Sequence, residues 1–316
     1  ISMSNGVTFN LGVNDDFVDV SNNRLWADTE TRLAYFSFEQ NFTNNSKLFF
    51  GNGTSPNTYM SSKKGFNHKG TPFLDYASDG SFVGIDINLP NQKDLLLSFF
   101  QGSHQDNKRF VNTLDKNEGF IIELSDNYKE SRLTYQLGFT KDNLNFSGIS
   151  TSGGFGQPLN NSTSFVGFEF SKRVQDITYK SALHIGQNQS NFSQSGMIKA
   201  LDDSYYSSFD LGVYKEDLFT GSDSLGIEIF QPLRSEHASM KLYIPTGRTK
   251  DKNILFEGLD LDLTPSGRQI NTQLVYRFSH EFLSFYGNLG FAKNQFHENE
   301  NKVDPYFQID IEINLK

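Results

Sequence analysis

Phe307-Gln308-Ile309-Asp310-Ile311-Glu312-Ile313-Asn314-Leu315 alternates apolar and polar residues without a fault. A β-strand turns successive side chains to opposite faces, so this segment has one wholly apolar face and one polar, partly charged face. The same code recurs upstream. Leu133, Tyr135, Leu137 and Phe139 oppose Thr134, Gln136 and Gly138, and Val166, Phe168 and Phe170 oppose Gly167, Glu169 and Ser171. Repeated segments of this kind, about ten residues long, are what a barrel with lipid outside and water inside requires. The fold class expected is therefore all-β, a transmembrane antiparallel up-and-down β-barrel of about twelve strands, or fourteen if two weaker segments count.

Composition bounds the same reading. With 36% hydrophobic residues and a mean hydropathy of -0.50 over 316 residues, the chain lacks any apolar run near the ~18 residues of a spanning helix. A membrane barrel tolerates this, because only alternate residues meet lipid. Thirty-one Phe and 13 Tyr suit lipid-facing strands and interfacial girdles. The absence of cysteine excludes disulfide frameworks, thiolate metal sites and Cys nucleophiles. A net charge of -9 argues against nucleic acid as a partner. The opening Ile1-Ser2-Met3-Ser4 is no signal peptide, so a piece of a longer precursor is expected.

Residues 1–80 read as a connecting region, with the first strands included in it, that follows an upstream domain. Residues 81–316 read as the barrel, with strands expected at 82–89, 93–101, 119–124, 132–140, 164–174, 177–187, 205–214, 225–233, 238–244, 268–278, 282–292 and 305–315. Segments 144–149 and 253–263 are the two weaker candidates. Short turns and long loops alternate in such barrels. With these strands they do not, because 188–204 falls on the short-turn side, so either a strand is missing or one is misassigned.

Charge placement carries the functional expectation. Asp86, Glu123, Glu169, Lys180, His184, Asp210, Glu228, Lys241, Arg277, Asp310 and Glu312 all fall within expected strands, opposite the aliphatic face. One Lys or Arg facing lipid near the midplane costs roughly 2–4 kcal/mol, so eleven ionisable groups could not all face it. They are expected to line a hydrated or plugged lumen. A soluble β-sandwich with the pattern inverted, apolar face inward and charges in outside water, remains the alternative at this point. A catalytic centre is not evident. Gly53-Thr54-Ser55 reads as loop, the six histidines are scattered, and neither Asp15-Asp16 nor Asp202-Asp203 matches a calcium loop. No metal site or cofactor is expected.

From about Tyr135 to Lys293 the chain resembles the C-terminal outer-membrane β-domain of subtilisin-like (peptidase S8 family) serine protease autotransporters. The resemblance rests on ordered blocks. Leu225-Gly226-Ile227 leads to Gln231, Pro232, Leu233 and Arg234; then come Pro245-Thr246-Gly247-Arg248 and Leu259-Asp260-Leu261; then Pro265, Ser266, Gly267 and Arg268 precede Gln269-Ile270, and the resemblance implies motif turns at Gln231–Arg234 and Pro265–Arg268. Gly153-Gly154-Phe155-Gly156, with Thr163 and Phe165, fits as well. The family pattern has Glu where Gln269 stands, and barrels of this kind usually end on an aromatic residue rather than Leu315-Lys316.

What the resemblance implies is a role. The barrel would sit in the outer membrane of a Gram-negative bacterium, inserted among outer-membrane lipid by the barrel-assembly machinery, as a monomer. It would translocate and anchor an N-terminal protease passenger, so this fragment would not itself be an enzyme. Two other readings stay open, a stand-alone porin-like channel and a soluble extracellular β-domain.

Overall fold

Two-residue reversals and long antiparallel strands organise the chain. The computed structural model describes residues 2–3, 7–14, 32–52, 71–74, 79–104, 115–142, 145–146, 149–150, 153–156, 158–193, 196–280, 283–300 and 302–313. They divide into two compact units at the Ile122–Glu123 bond.

The first unit contains β1 (Ser2–Met3), β2 (Val7–Asn14), β3 (Arg32–Thr43), β4 (Ser46–Asn52), β5 (Asp79–Leu89), β6 (Lys93–His104) and the first half of β7 (Asp115–Tyr128). From β1 to β6 each strand pairs antiparallel with the next. Because β4 pairs with β5 from Ser46↔Ile87 to Asn52↔Ser81, strands before residue 81 belong to the same meander as those after it. Gly53-Thr54-Ser55, Asp15, Asp16 and His68 lie outside the described residues.

The second unit holds the rest of β7, then β8 (Ser131–Asp142), the short β9 (Asn145–Phe146) and β10 (Ile149–Ser150), β11 (Pro158–Val174) and β12 (Ile177–Phe192). It continues through β13 (Ile198–Leu201), β14 (Ser204–Glu216), β15 (Asp223–His237), β16 (Ser239–Arg248) and β17 (Ile254–Asp262). The last strands are β18 (Ile270–His280), β19 (Leu283–Lys293) and β20 (Val303–Ile313). Its meander runs β8-β11-β12-β14-β15-β18-β19-β20, while β13, β16 and β17 form a separate three-stranded sheet. The meander strands are 11 to 17 residues long, enough to cross hydrocarbon at a tilt. Counting β2–β7 and these eight, the described residues hold fourteen meander strands of seven residues or more, a number compatible with that expected, although β2–β4 supply the additions and segments 144–149 and 253–263 do not join the meander.

This arrangement corrects the loop pattern. Within the second unit, short connections follow β11 (Gln175-Asp176), β14 and β18, and long ones follow β8, β12, β15 and β19. Alternation is strict once 238–244 leaves the meander, and the 188–204 segment then falls on the long-loop side. Residues 238–244 alternate like a barrel strand, but they pair with β13 and β17 instead. Local pattern cannot choose a strand's partner. In the tight turns Lys129 and Gln175 adopt left-handed backbone (φ 53° and 57°), the conformation that lets a two-residue reversal follow the strands' own twist.

Burial settles which face looks outward. In the second unit Val213, Ile227, Leu274, Leu289 and Phe307 form one cross-strand row over five neighbouring strands. All five are exposed, from 46% at Leu274 to 76% at Phe307. On the opposite face Glu123, Gln136, His184, Glu228, Gln273 and Arg277 are buried, Glu228 to 2%. A water-soluble sandwich has the reverse distribution, so the soluble alternative fails. The inner face is not uniformly polar, however. Phe49, Phe82 and Phe100 in the first unit, and Phe165 in the second, are buried there. Each of Phe49, Phe82 and Phe165 lies over a glycine (Gly84, Gly51 and Gly138), whose missing side chain leaves room for the ring. Among the described residues no helix is long and apolar enough to cross a membrane.

Candidate functional site

Besides a buried cluster of Asn161, Thr163, Asn188 and Ser190, the polar face of the second unit carries three bonded clusters built on the charged and motif residues. The first spans β7, β8, β11 and β12. The Gln136 amide Nε2 donates to Glu123 Oε1 (3.0 Å) and to Glu169 Oε1 (2.9 Å), and Gln136 Oε1 lies 3.1 Å from His184 Nε2. With both amide protons committed to carboxylates, that oxygen can only accept, so His184 carries its proton on Nε2. Gln136 faces His184 across Gly167, where a side chain would meet both of them. His184 Nε2 is also 3.8 Å from Glu169 Oε1.

The second cluster centres on Glu228 of β15. Its Oε1 accepts the Tyr214 hydroxyl and Arg277 Nη2 (2.9 Å), and its Oε2 accepts Gln273 Nε2 (2.5 Å). Tyr306 donates in turn to Gln273 Oε1 at 2.9 Å. The Arg277 guanidinium sits 4.8 Å from the Tyr214 ring centre and 5.7 Å from that of Tyr286, and Lys180 Nζ sits 5.1 Å from the Tyr214 ring. Cations over aromatic faces gain from the ring quadrupole, which here holds two positive groups beside one carboxylate. Tyr214 can lie flat because Gly212 and Gly226 are beneath it. Register explains the assembly. Arg132, Ser171, Lys180, Gly212, Glu228, Gln273, Gly290 and Tyr306 are successive cross-strand partners, one belt across eight strands.

A third cluster ties loops to the long-loop end of β15. Arg234 donates from Nε to the Gly267 carbonyl (2.9 Å), from Nη2 to the Pro265 carbonyl (2.8 Å) and from Nη1 to Glu236 (2.5 Å). Arg268 bonds Glu236 Oε2 (2.7 Å) and Gln231, and Ser207 donates to Glu236 Oε1 (2.5 Å). His297, beyond β19, accepts the Gln269 N–H at Nδ1 (3.0 Å), which leaves Nε2–H to donate to the Leu233 carbonyl (3.2 Å). Burial, with Arg234 and Arg268 nearby, holds the His297 pKa below its ordinary value.

Most of the eleven expected lumen residues stand on the inner face, and the exceptions are instructive. Glu123, Glu169, Lys180, His184, Asp210, Glu228 and Arg277 share it in the second unit. In the first unit Asp86 is half-buried on β5, opposite Lys47 of β4, which bonds Glu39. Lys241 does not join them: it is exposed on β16 of the side sheet, 3.6 Å from Asp260. The side chains of Asp310 and Glu312 lie outside the described residues. Gln231, Pro232, Leu233 and Arg234 are not a turn, because they lie inside β15. Pro232 is tolerated there because the pairing with β18 stops at Phe230↔Asn271 and the β14 register shifts at Ser207/Phe209, so its missing N–H interrupts no ladder. Pro265, Ser266, Gly267 and Arg268 do form the loop before β18.

The uncharged members, Gln136, Tyr214, Gln273, Tyr286 and Tyr306, escape a search for charges, although strand parity puts them on the polar face. His297 belongs to no strand and carries no periodic signal. Among the described residues no group of three His, Cys, Asp or Glu is arranged to hold a metal ion.

No family model and no curated protein matches this chain. Solved structures resemble it, among them two forms of one protein. One is OmpTdeltaL8, a loop L8 deletion mutant of OmpT, an outer membrane protein of Vibrio cholerae, with a TM-score of 0.53 and 11% identity over 90% of this chain and 80% of that one. The other is OmpT folded in vitro, from the same organism, at 0.48 and 10%, covering 96% and 94%. The first likeness, together with the inverted burial, establishes the fold as a transmembrane antiparallel β-barrel of the outer-membrane kind. It is the fold of the membrane in which the sequence reading placed this chain.

Proposed function

We propose that this chain forms a channel for small hydrophilic solutes across the outer membrane of a Gram-negative bacterium. The observation that carries the reading is the belt from Arg132 through Lys180 and Glu228 to Gln273 and Tyr306, on a face whose reverse side is wholly apolar in the Val213–Phe307 row. Charged groups of both signs, held sideways along the wall by hydrogen bonds or aromatic rings, suit a hydrated passage without strong preference for either charge. The apolar rows would meet outer-membrane lipid, and the barrel-assembly machinery would insert the protein.

Translocation and anchoring of a subtilisin-like passenger is the second reading. It is favoured by the direct bonding of the two blocks behind the resemblance, Arg234 to the Pro265 and Gly267 carbonyls. Conductance separates the two. A channel gives stable ohmic steps in planar bilayers, with a reversal potential in a salt gradient that moves toward anions in Glu228→Gln. Closed, step-free membranes containing correctly folded protein would overturn the channel and favour a plugged translocator.

A further inference from the structure

The inner face of the first unit carries an apolar patch that a water-filled passage does not account for. Register brings Phe49 of β4, Phe82 of β5 and Phe100 of β6 onto one face, with Leu96 nearer the short turns. All four are at most 8% exposed, whereas Phe50, Val83 and Phe99 on the other face are exposed from 38% to 63%. The glycines beneath Phe49 and Phe82 hide one side of each ring. The other side looks into the bore and is hidden as well. Apolar rings do not stay bare toward water when something apolar can cover them.

One segment of this unit fits as the cover. Apart from strands and tight turns, the described residues of the first unit comprise only Thr71 and the 3-10 turn Pro72–Leu74. Thr71, Phe73 and Leu74 are 1%, 4% and 0% exposed, although they belong to the long connection between β4 and β5 and loops ordinarily run over the surface. The turn closes on itself through the Leu74 N–H and the Thr71 carbonyl (3.0 Å). The outward face of these strands is excluded as its seat, because the apolar residues there stand uncovered.

Reach agrees with an inner seat. Five residues separate Leu74 from Asp79 at the start of β5, a span of at most about 18 Å. A strand advances about 3.3 Å per residue, so Phe82 lies roughly 10 Å and Gly84 roughly 17 Å down the wall from Asp79. The turn therefore reaches the level of Phe82 and Phe100, and no deeper than Gly84 and Ser98. Gly80 and Gly102, paired at the long-loop end of the same inner column, leave a notch without side chains for the descending chain, and both are buried. Below the patch the wall turns polar at Asp86 and Lys47.

We infer that the Pro72–Leu74 turn folds into the bore, seats Phe73 and Leu74 on the Phe49–Phe82–Phe100 patch, and sets the size limit for solutes. The size limit rests on the channel reading; the seat does not.

The absence of native cysteine lets paired cysteines map the seat. The full chain is folded into lipid vesicles in reductant and then oxidised, with circular dichroism confirming that each variant has folded. Leu74→Cys should link to Ser98→Cys or Gly102→Cys of the inner face, and roughly fivefold less to the outward Phe99→Cys or Gln101→Cys of the same strand, since a disulfide needs Cα atoms within about 7 Å. Links at the outward positions, or none at the inner ones, overturn the seat. Phe73→Ser with Leu74→Ser removes both apolar anchors without adding charge, and should raise the single-channel step about twofold. An unchanged step overturns the size limit. Disulfide mapping needs no current, so the seat and the channel reading fail separately.

Discussion

Leu274→Arg tests the orientation of the whole sheet. Leu274 lies near the middle of β18, between the exposed Ile227 and Leu289 of its row. If that face meets hydrocarbon, an arginine there costs about 2–4 kcal/mol near the midplane. That lowers the folding equilibrium roughly 30- to 700-fold. Were the face in water, the same change at a half-exposed position would fall within about 0.5 kcal/mol. The chemistry of the substitution adds a second signature: the loss should follow Arg greater than Glu greater than Ala, since acidic groups on a lipid face cost less than basic ones. Urea titration of the protein in lipid vesicles, followed by β-sheet circular dichroism, measures all three. A Leu274→Arg variant as stable as the parent would refute the outward placement of the apolar rows, and the channel with it.

Two further outcomes follow from the inner face and the loops. Gly226→Val drives a Cβ into the Tyr214 ring at Cδ1, a clash that pushes the ring away from its bond to Glu228. The variant should lose about 1–3 kcal/mol, and Tyr214→Ala in the same chain should recover part of it, as a double-mutant cycle will show. For His297 the depressed pKa means that the packed loop resists a proton that the opened loop accepts. Its contribution is therefore complete above the ordinary histidine value near 6.5 and is lost as pH falls from there toward the lower folded value. The Gln269 amide, which donates to Nδ1, should exchange with deuterium faster at pH 5 than at pH 7.5 after correction for intrinsic rates. Equal protection at both pH values would contradict this.

How much was legible beforehand depended on which property a residue's neighbours control. Alternation over Leu133–Phe139, Val166–Phe170 and Phe307–Leu315 is a property of single strands, set by the pleat alone, so the fold class and the two faces could be read directly. Which face looks outward could not be read with the same security, since the pattern is symmetric under exchange of inside and outside; exposure of Leu274 beside burial of Glu228 resolved it. Partner choice was also hidden. Residues 238–244 carry the barrel pattern, yet β16 pairs with β13 and β17, and the same misplacement put Lys241 among the lumen groups. Strand alternation over 225–233 and the family motif, which makes Gln231–Arg234 a turn, disagreed, and a shifted ladder lets Pro232 continue β15.

The residues that assemble the clusters came from different levels of order. Glu123, Glu169, His184, Glu228 and Arg277 declared themselves by charge within an alternating strand. Gln136, Tyr214 and Gln273 bond to those charges only because the register brings them within reach across neighbouring strands. Sequence by itself determined that this chain forms long two-faced strands whose mid-strand ionisable groups gather on one side, because side-chain direction in a strand is local. Tertiary structure alone decided which strands adjoin, which carboxylate each cation meets and where the loops are tied down, because register joins residues as distant in sequence as Asp223 and Phe278, and a loop bond ties His297 to Leu233.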